Sequence, residues 1–257
     1  MKTYEQKAGI VAILDALGAA SYDDTEIHEF LESRSVVIRL LGDKAESVAQ
    51  TLEVSQVKTY TFNDTMLIVL ESRKPNVCRA EIRAFATILR KLLVDSLKRR
   101  IMFRGSIAVG DFYEDSETNT ILGKAVTDAA AWYDKADWIG ILATPRTTIH
   151  IDQLMENQDK KWGHLLTRYD IPLTDKSTRS LWAINWPKVF WVNSLTPCEP
   201  DQTQRECFLN MLGKFTIPRN TEDKHFNTIA FFDHVVKSLK LKNEPKSGFT
   251  RARSSRR

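Results

Sequence analysis

The sequence predicts an α+β sandwich of the ferredoxin-like βαββαβ type, with additional strands and helices toward the C-terminus. Apolar runs typical of strands alternate with amphipathic runs typical of helices, in the order strand, helix, strand, strand, helix, strand, helix, strand. A short pair of polar residues joins two of the strands directly, which indicates an antiparallel hairpin. We therefore expect the helices to cover one face of a mainly antiparallel sheet.

The first 71 residues are predicted to form three strands and one helical region. Residues 8–16 form an apolar run typical of a strand buried on both faces. Thr25–Leu52 has apolar residues at helical spacing, interrupted near Gly42, so that one long helix or two successive helices fit. Val57–Thr61 and Thr65–Glu71 flank Asn63-Asp64 and are predicted to form the hairpin.

The middle of the chain continues the same alternation. The segments are predicted to be a helix over Cys78–Leu97, a strand over Ile101–Phe112, a polar loop over Tyr113–Asn119, an alanine-rich helix over Gly123–Lys135, and a buried strand over Trp138–Ala143. The last part is predicted to be a short helix over Thr147–Glu156, strand-like segments over 165–193 that extend the sheet, and helices over Glu199–Leu212 and Asp223–Leu239.

Composition favours one compact domain over residues 1–245. The chain has 257 residues with 42% hydrophobic and 27% charged content, and no stretch rich in Gly, Pro or Ser divides it. Its first residues lack a signal-peptide pattern, and no apolar run approaches the roughly 20 residues of a membrane-spanning helix. We expect a cytoplasmic protein with no membrane partner.

The basic segment 246–257 contributes much of the net charge of +4 and is predicted to be a disordered, solvated tail. Contact of this tail with a nucleic acid or an anionic membrane is the alternative. Cys78, Cys198 and Cys207 form no CxxC pair, so free thiols are expected. The five scattered histidines are predicted to be structural.

Two aspartates are the candidate chemical groups. Asp15 ends the first apolar run, and Asp64 lies in the hairpin turn. If the two runs are neighbouring strands, both carboxylates emerge at the same edge of the sheet. Two hard oxygen ligands at one edge suit an Mg²⁺ or Mn²⁺ ion that holds a substrate triphosphate.

The ordered set of motifs over about 8–145 resembles the class III nucleotidyl cyclase catalytic domain. The matching segments are Ile13-Leu14-Asp15-Ala16-Leu17-Gly18, Tyr60-Thr61-Phe62-Asn63-Asp64, Arg104-Gly105-Ser106-Ile107-Ala108-Val109-Gly110 and Gly123-Lys124-Ala125-Val126-Thr127-Asp128-Ala129-Ala130. The resemblance implies that Asp15 and Asp64 bind two divalent cations, Mn²⁺ or Mg²⁺, with the backbone carbonyl of Ala16 as a further ligand. It also implies cyclisation of a nucleoside triphosphate without a protein nucleophile.

The resemblance makes Tyr60 the candidate base-reading residue. Arg104 is the second candidate, for contact with the base or a phosphate, because a guanidinium can donate two parallel hydrogen bonds. Purine cyclases carry lysine or glutamate four positions before the second metal aspartate, whereas this chain has Tyr60. A tyrosine there resembles the bacterial Pycsar-type pyrimidine cyclases, which make cyclic UMP or cyclic CMP as an antiphage signal. This implies UTP, or alternatively CTP, as substrate. Taken alone, Tyr60 is more typical of a strand aromatic packed beneath helices.

The resemblance also implies a head-to-tail homodimer with shared active sites, in which the alanine-rich helix completes the partner's site. A buried monomeric core is the competing interpretation of that helix. Purine cyclases have asparagine and arginine where this chain has Thr127 and Ala131. Lys124, Thr127 or Arg104 is then expected to supply part of their function. The alternative is a catalytically inactive nucleotide-sensing or interaction module.

Overall fold

The computed structural model describes residues 4–115, 117–155, 164–193, 202–215, 217 and 221–243. The strands are β1 Gln6–Ala16, β2 Val57–Phe62, β3 Thr65–Glu71, β4 Phe103–Asp115, β5 Thr120–Leu122, β6 Gly140–Ala143, β7 Leu166–Pro172 and β8 Thr178–Ile184. The helices are α1 Asp24–Leu52, α2 Arg79–Lys98, α3 Lys124–Ala130, α4 Pro145–Met155, α5 Trp186–Asn193, α6 Gln204–Leu212 and α7 Glu222–Asn243. None of these helices combines the length and apolarity needed to cross a lipid bilayer.

The strands form one sheet in the order β2-β3-β1-β4-β6-β8-β7, with β5 paired to β4. The pairs are antiparallel except for β4 with β6, which is parallel. The predicted α+β class, the antiparallel character and the late strand pair are therefore confirmed. The order β4-β1-β3-β2 is the ferredoxin-like arrangement, and β6, β8 and β7 extend it at one edge.

The prediction that the helices cover a single face of the sheet is wrong. Alternate residues of β1 point to opposite faces, so that Ile10 packs with α1 and α2, whereas Val11 packs with α3. The first face carries the large core, including the buried aromatic side chains of Phe85 and Phe103. The second face has only a small apolar cluster, because α3 is short and lies over β4 and β1.

Three boundaries also differ from the prediction. Tyr113–Asn119 is not a loop throughout, since β4 continues to Asp115 and pairs with β5. The alanine-rich helix ends at Ala130 and is followed by turns through Lys135. The segment that contains Val189 is helical rather than strand-like, since it belongs to α5. In each case the apolar or polar pattern was compatible with either structure.

The expectation that all three cysteines are free thiols is confirmed only in part. Cys78 is a free thiol, as predicted, and lies at the N-cap of α2. Cys207 is disulfide-bonded, so the prediction of free thiols is wrong for this residue. Cys198 and the basic tail 246–257 lie outside the described residues.

The long helix α1 runs uninterrupted through Gly42, which answers the question left open by the sequence. A Cβ atom placed on Gly42 would meet nothing within 4 Å. We expect Gly42→Ala to stabilise the protein by about 0.5 to 1 kcal/mol, because alanine reduces the conformational freedom of the unfolded chain without creating a clash. Urea denaturation measures the change. Gly105→Ala is the contrasting control, because its Cβ would lie 2.3 Å from the carbonyl oxygen of Ile13, and equal effects of the two changes would contradict this explanation.

Candidate active site

The two candidate metal ligands lie together at one edge of the sheet, as predicted. Asp15 is the penultimate residue of β1 and pairs in register with Thr65, the first residue of β3. Asp64 immediately precedes Thr65 in the chain. The backbone N–H of Ala16 donates to the carbonyl oxygen of Asp64, with an N–O distance of 3.3 Å. Because β1 and β3 are antiparallel neighbours, the end of one strand and the hairpin before the other must meet here.

Arg104 lies on β4, which is the neighbour of β1 on the side opposite to β3. It pairs in register with Asp15 across β1 and β4. Its Nε and Nη2 atoms each lie 3.2 Å from Asp15 Oδ2, and Nη1 donates to the carbonyl oxygen of Asp134 at 2.9 Å. The side chains of Arg104 and Asp15 are 19% and 18% exposed, so the ion pair is largely shielded from water.

Negative charge accumulates at this edge. Burial raises the pKa of the Asp15 carboxyl, the neighbouring Asp64 raises it further, and Arg104 acts in the opposite direction. Asp134 adds a smaller effect of the same sign as Asp64. A site whose carboxylates repel one another is stabilised by a bound cation, and Arg104 supplies the balancing charge in the chain itself.

The donor set fits a divalent cation of the magnesium type. Such an ion keeps several waters and is commonly bound by one or two carboxylates together with substrate phosphates. Asp15 and Asp64 supply two carboxylates, and Ala16 supplies a backbone carbonyl in the same segment. In the described ranges no group of three or more His, Cys, Asp or Glu side chains forms a self-sufficient metal cage. The edge is therefore suited to an ion that arrives with a phosphorylated ligand.

Tyr133 and Asp134 belong to this site and were missed by the sequence analysis. Burial raises the pKa of the Tyr133 phenol, and the charges of Asp134 and Asp15 raise it further. The sequence predicts a helix over Gly123–Lys135, in which both residues would continue the helical turns. The early end of α3 turns the chain back toward Arg104 instead. A polar pair at the end of an alanine-rich run was the one available signal.

Tyr60 lies on the sheet face against which α3 packs. Its hydroxyl is directed away from the acidic edge. The hydroxyl donates to Glu114 Oε1 at 2.7 Å. Tyr113, the residue before Glu114, pairs with Gln6 at the beginning of β1. Asp15 lies near the opposite end of β1. The structure therefore places Tyr60 with Glu114 and not with Asp15 or Asp64. This face is also opposite to α1 and α2, so Tyr60 does not pack beneath those helices.

Glu114 is the acceptor of a compact hydrogen-bonded cluster. Lys58 Nζ lies 2.6 and 2.7 Å from its two carboxylate oxygens, and Lys7 Nζ lies 3.1 Å from Oε2. Burial acts to raise the pKa of Glu114, but hydrogen bonds from Lys58, Tyr60 and Lys7 together lower it to about 2. Burial and the bond to Glu114 raise the pKa of the Tyr60 phenol. At neutral pH the cluster therefore contains an ionised carboxylate and a protonated phenol.

The cluster should contribute pH-dependent stability. The pKa of Glu114 is about 2 in the folded protein and 4.5 ordinarily, so its contribution is present above about pH 4.5 and is lost as the pH falls toward 2. We expect Glu114→Gln to lower the free energy of unfolding by about 1 to 2 kcal/mol near pH 7 and by less near pH 3. Urea denaturation at both pH values measures this. Glu71→Gln is the control, since Glu71 pairs with Lys7 but is 41% exposed, and an equal loss at both pH values for Glu114→Gln would contradict the ionic origin.

The helix α3 presents the remaining candidate residues to solvent. Lys124, Thr127 and Ala131 are exposed, whereas Ala125 and Ala129 are buried against the sheet. No hydrogen bond or ion pair among the described residues joins the side chain of Lys124 or Thr127 to Asp15 or Asp64. The buried alanines of α3 therefore pack against the sheet of the same chain, and the predicted substrate-binding side chains point toward solvent.

Contacts from the sheet hold α3 in place. The Ser106 hydroxyl donates to the carbonyl oxygen of Ala129 at 2.7 Å, and the Thr144 hydroxyl donates to Asp128 at 2.7 Å. Gly123 has φ of 142°, and a Cβ atom there would lie 2.6 Å from the Cα atom of Phe112. Glycine is needed at this position because the backbone of α3 begins in contact with β4. The outward side chains of α3 are thus carried on a well-anchored helix.

Comparison with known proteins finds no matching family model and no matching curated protein. Similar solved structures include the catalytic core of a rhodopsin-guanylyl cyclase with converted specificity in complex with ATPαS, at 12% identity and a TM-score of 0.47 over 71% of this chain and 98% of that chain. The adenylyl cyclase CyaB from P. aeruginosa has 11% identity and a TM-score of 0.42 over 78% of this chain and 100% of that chain. A Trypanosoma brucei adenylate cyclase in its monomeric state has 14% identity and a TM-score of 0.45 over 70% of this chain and 90% of that chain. These are similarities of fold alone.

Proposed function

We propose that the protein is a metal-dependent nucleotidyl cyclase. Its substrate would be a pyrimidine nucleoside triphosphate, with UTP favoured and CTP as the second choice, and its products would be the 3′,5′-cyclic monophosphate and pyrophosphate. The observation that carries this proposal is the meeting of Asp15, Ala16 and Asp64 at one sheet edge, with Arg104 paired to Asp15. That edge combines carboxylates for divalent cations with a guanidinium for phosphate oxygens.

Asp15 and Asp64, with the Ala16 carbonyl, would hold the two Mn²⁺ or Mg²⁺ ions. When bound, these ions would lower the pKa of the ribose 3′-hydroxyl and stabilise negative charge on the phosphates. Arg104 uses Nε and Nη2 toward Asp15 and Nη1 toward Asp134. A guanidinium has five N–H groups, so donors remain for a phosphate oxygen or a pyrimidine carbonyl. The substrate phosphates would thus be oriented by the chain as well as by the cations.

A head-to-tail homodimer would complete the site. Tyr60 is directed toward the beginning of β1, whereas Asp15 and Asp64 lie at its other end, and Lys124 and Thr127 face solvent. A partner related by a two-fold axis would bring its Tyr60 and α3 to the acidic edge of the first protomer. Lys124 would then contact the triphosphate, and Thr127 the ribose or α-phosphate. The uncovered half of this sheet face, where Leu67 is half-buried, provides the surface for such an arrangement.

A nucleotide-sensing module without turnover is the second candidate function. The outward face of α3 carries Thr127, and Ala131 follows the last residue of the helix. Neither side chain offers an amide or a guanidinium to a transition-state phosphate. Such a module would bind nucleotide at the same edge and release no pyrophosphate. It differs from the first proposal only in the chemical step.

The deciding experiment incubates purified protein with each of ATP, GTP, CTP and UTP in the presence of Mn²⁺. We expect cyclic UMP and pyrophosphate from UTP, with less product from CTP and none from the purines. The matched control is 3′-deoxy-UTP, which lacks the attacking hydroxyl and should yield no product. Nucleotide binding without pyrophosphate release from any substrate would favour the sensing module and reject the cyclase.

We also propose that the cyclic product is a signal in bacterial antiphage defence. The support for this role is the position of Tyr60 before Asp64, in the pattern of the Pycsar-type enzymes. Cells that carry the gene with its neighbouring genes should form fewer phage plaques than cells that carry Asp64→Asn in the same context. Equal plaque counts would reject the defence role and leave the cyclase proposal to the nucleotide assay.

A further inference from the structure

The cluster of Lys7, Lys58, Tyr60 and Glu114, here called the Glu114 cluster, lies on the sheet face opposite the large core. Of the described helices, only α3 contributes to the apolar cluster of this face. Glu114 is nearly enclosed, with a side chain 7% exposed, whereas Lys58 is 50% exposed. The metal site does not use Glu114 or Lys58, and neither residue was a predicted site residue.

The cluster presents three hydrogen-bonding groups in a defined pattern. Lys58 is a donor with three N–H groups, the Glu114 carboxylate is an acceptor, and the Tyr60 hydroxyl is a donor. Lys58 Nζ and Tyr60 Oη lie 2.6 and 2.7 Å from the same oxygen, Glu114 Oε1. The three groups therefore form the order donor, acceptor, donor across β2 and β4, with Lys58 half-exposed and Glu114 nearly enclosed.

Uracil has the complementary pattern on its pairing edge. Its O4 and O2 atoms accept hydrogen bonds, and N3–H between them donates. Cytosine has an acceptor at N3, which would face the Glu114 carboxylate without a proton between them. Guanine has a second donor where uracil has O2, so one of the two donors of the cluster would face another donor. An unpaired buried polar group of this kind costs far more than the bond it replaces.

We propose that Glu114, flanked by Lys58 and Tyr60, reads the pairing edge of uracil and makes UTP the preferred nucleotide. The proposal rests on the cyclase function proposed above and names the substrate of that same site. On binding, the Tyr60 proton would turn from Glu114 to one uracil carbonyl oxygen, and uracil N3–H would take the vacated position on Oε1. Lys58 would donate one of its N–H groups to the other carbonyl oxygen. The base and the triphosphate would then contact different protomers.

The test measures equilibrium binding of 3′-deoxy-UTP and 3′-deoxy-CTP to the full chain by calorimetry with Mn²⁺, since neither probe can cyclise. We expect the wild-type protein to bind the uridine probe at least about tenfold more tightly. In Glu114→Gln the amide can donate to cytosine N3, so the preference should fall below about threefold or reverse. Glu71→Gln should keep the wild-type ratio. Lys58→Met, at a half-exposed position, should also reduce the preference and covers the case in which Glu114→Gln does not fold.

The outcomes separate this inference from the cyclase proposal. A uridine preference that Glu114→Gln and Lys58→Met remove supports the inference, even if no cyclic product forms. A ratio that stays within about twofold of wild type in both variants overturns it, even if the protein cyclises UTP. If neither probe binds to the wild-type protein, the inference is also overturned.

Discussion

Replacing Asp64 by asparagine is expected to reduce cyclic nucleotide formation by at least about a thousandfold while leaving the fold intact. Asp64 shares its edge with Asp15 and raises the pKa of that carboxyl by its negative charge. Asparagine keeps the shape but removes one of the two carboxylates for a divalent cation. Loss of the charge also relieves repulsion in the cation-free protein, so the free energy of unfolding should stay the same or rise by up to about 1 kcal/mol.

Initial rates with UTP and Mn²⁺, together with urea denaturation, measure both effects. Asp64 is a cleaner choice than Asp15, because Asp15→Asn would also leave the Arg104 guanidinium without its carboxylate. Asp170→Asn is the matched control, since Asp170 is exposed on β7 at the far edge of the sheet and should change neither quantity. Full activity in Asp64→Asn would reject the assignment of the metal ligands.

Replacing Phe112 by alanine is expected to cost about 3 to 5 kcal/mol of stability, the largest effect among the side chains of the second sheet face. Phe112 is 1% exposed and packs with Val11, Ala125 and Ala129. Its ring lies against Gly9, where an added Cβ atom would come within 2.7 Å of it. Removal of the ring would leave a cavity between β4, β1 and α3.

Thermal and urea unfolding measure this loss, and nucleotide binding to the residual folded protein measures its functional effect. We expect weaker nucleotide binding, because α3 carries Lys124 and Thr127. Phe226→Ala is the matched control, since Phe226 is 69% exposed on α7 and should change stability by no more than about 0.5 kcal/mol. Similar losses for the two variants would show that Phe112 does not anchor α3.

The sequence predicts most of this fold because its elements have strong local patterns. The first strand, the hairpin around Asn63-Asp64 and the helix α2 follow from apolar periodicity and turn chemistry alone. The face on which α3 packs could not be read in this way, since an alanine-rich helix is compatible with either face. The polar residues at the end of β4 predict a loop, because they gain a pairing partner only through β5.

The candidate site, too, could be predicted only where local sequence patterns determine it. Adjacency of Asp15 and Asp64 was predictable, because two antiparallel neighbours force a strand end and a hairpin together. The direction of the Tyr60 hydroxyl was not, since it depends on how far the sheet coils to bring Glu114 beside β2. Tyr133 was missed because it approaches the site only through the turns after α3, which no periodic pattern reveals.

The ion pair between Arg104 and Asp15 has a consequence for which cations the edge accepts. A metal ion that binds Asp15 must compete with a guanidinium that already holds Oδ2 through two N–H groups. The attraction between two charges scales with their product, so a monovalent ion offers the carboxylate only half of what a divalent ion offers at the same distance. In the proposed metal site, Arg104 would therefore favour divalent over monovalent cations.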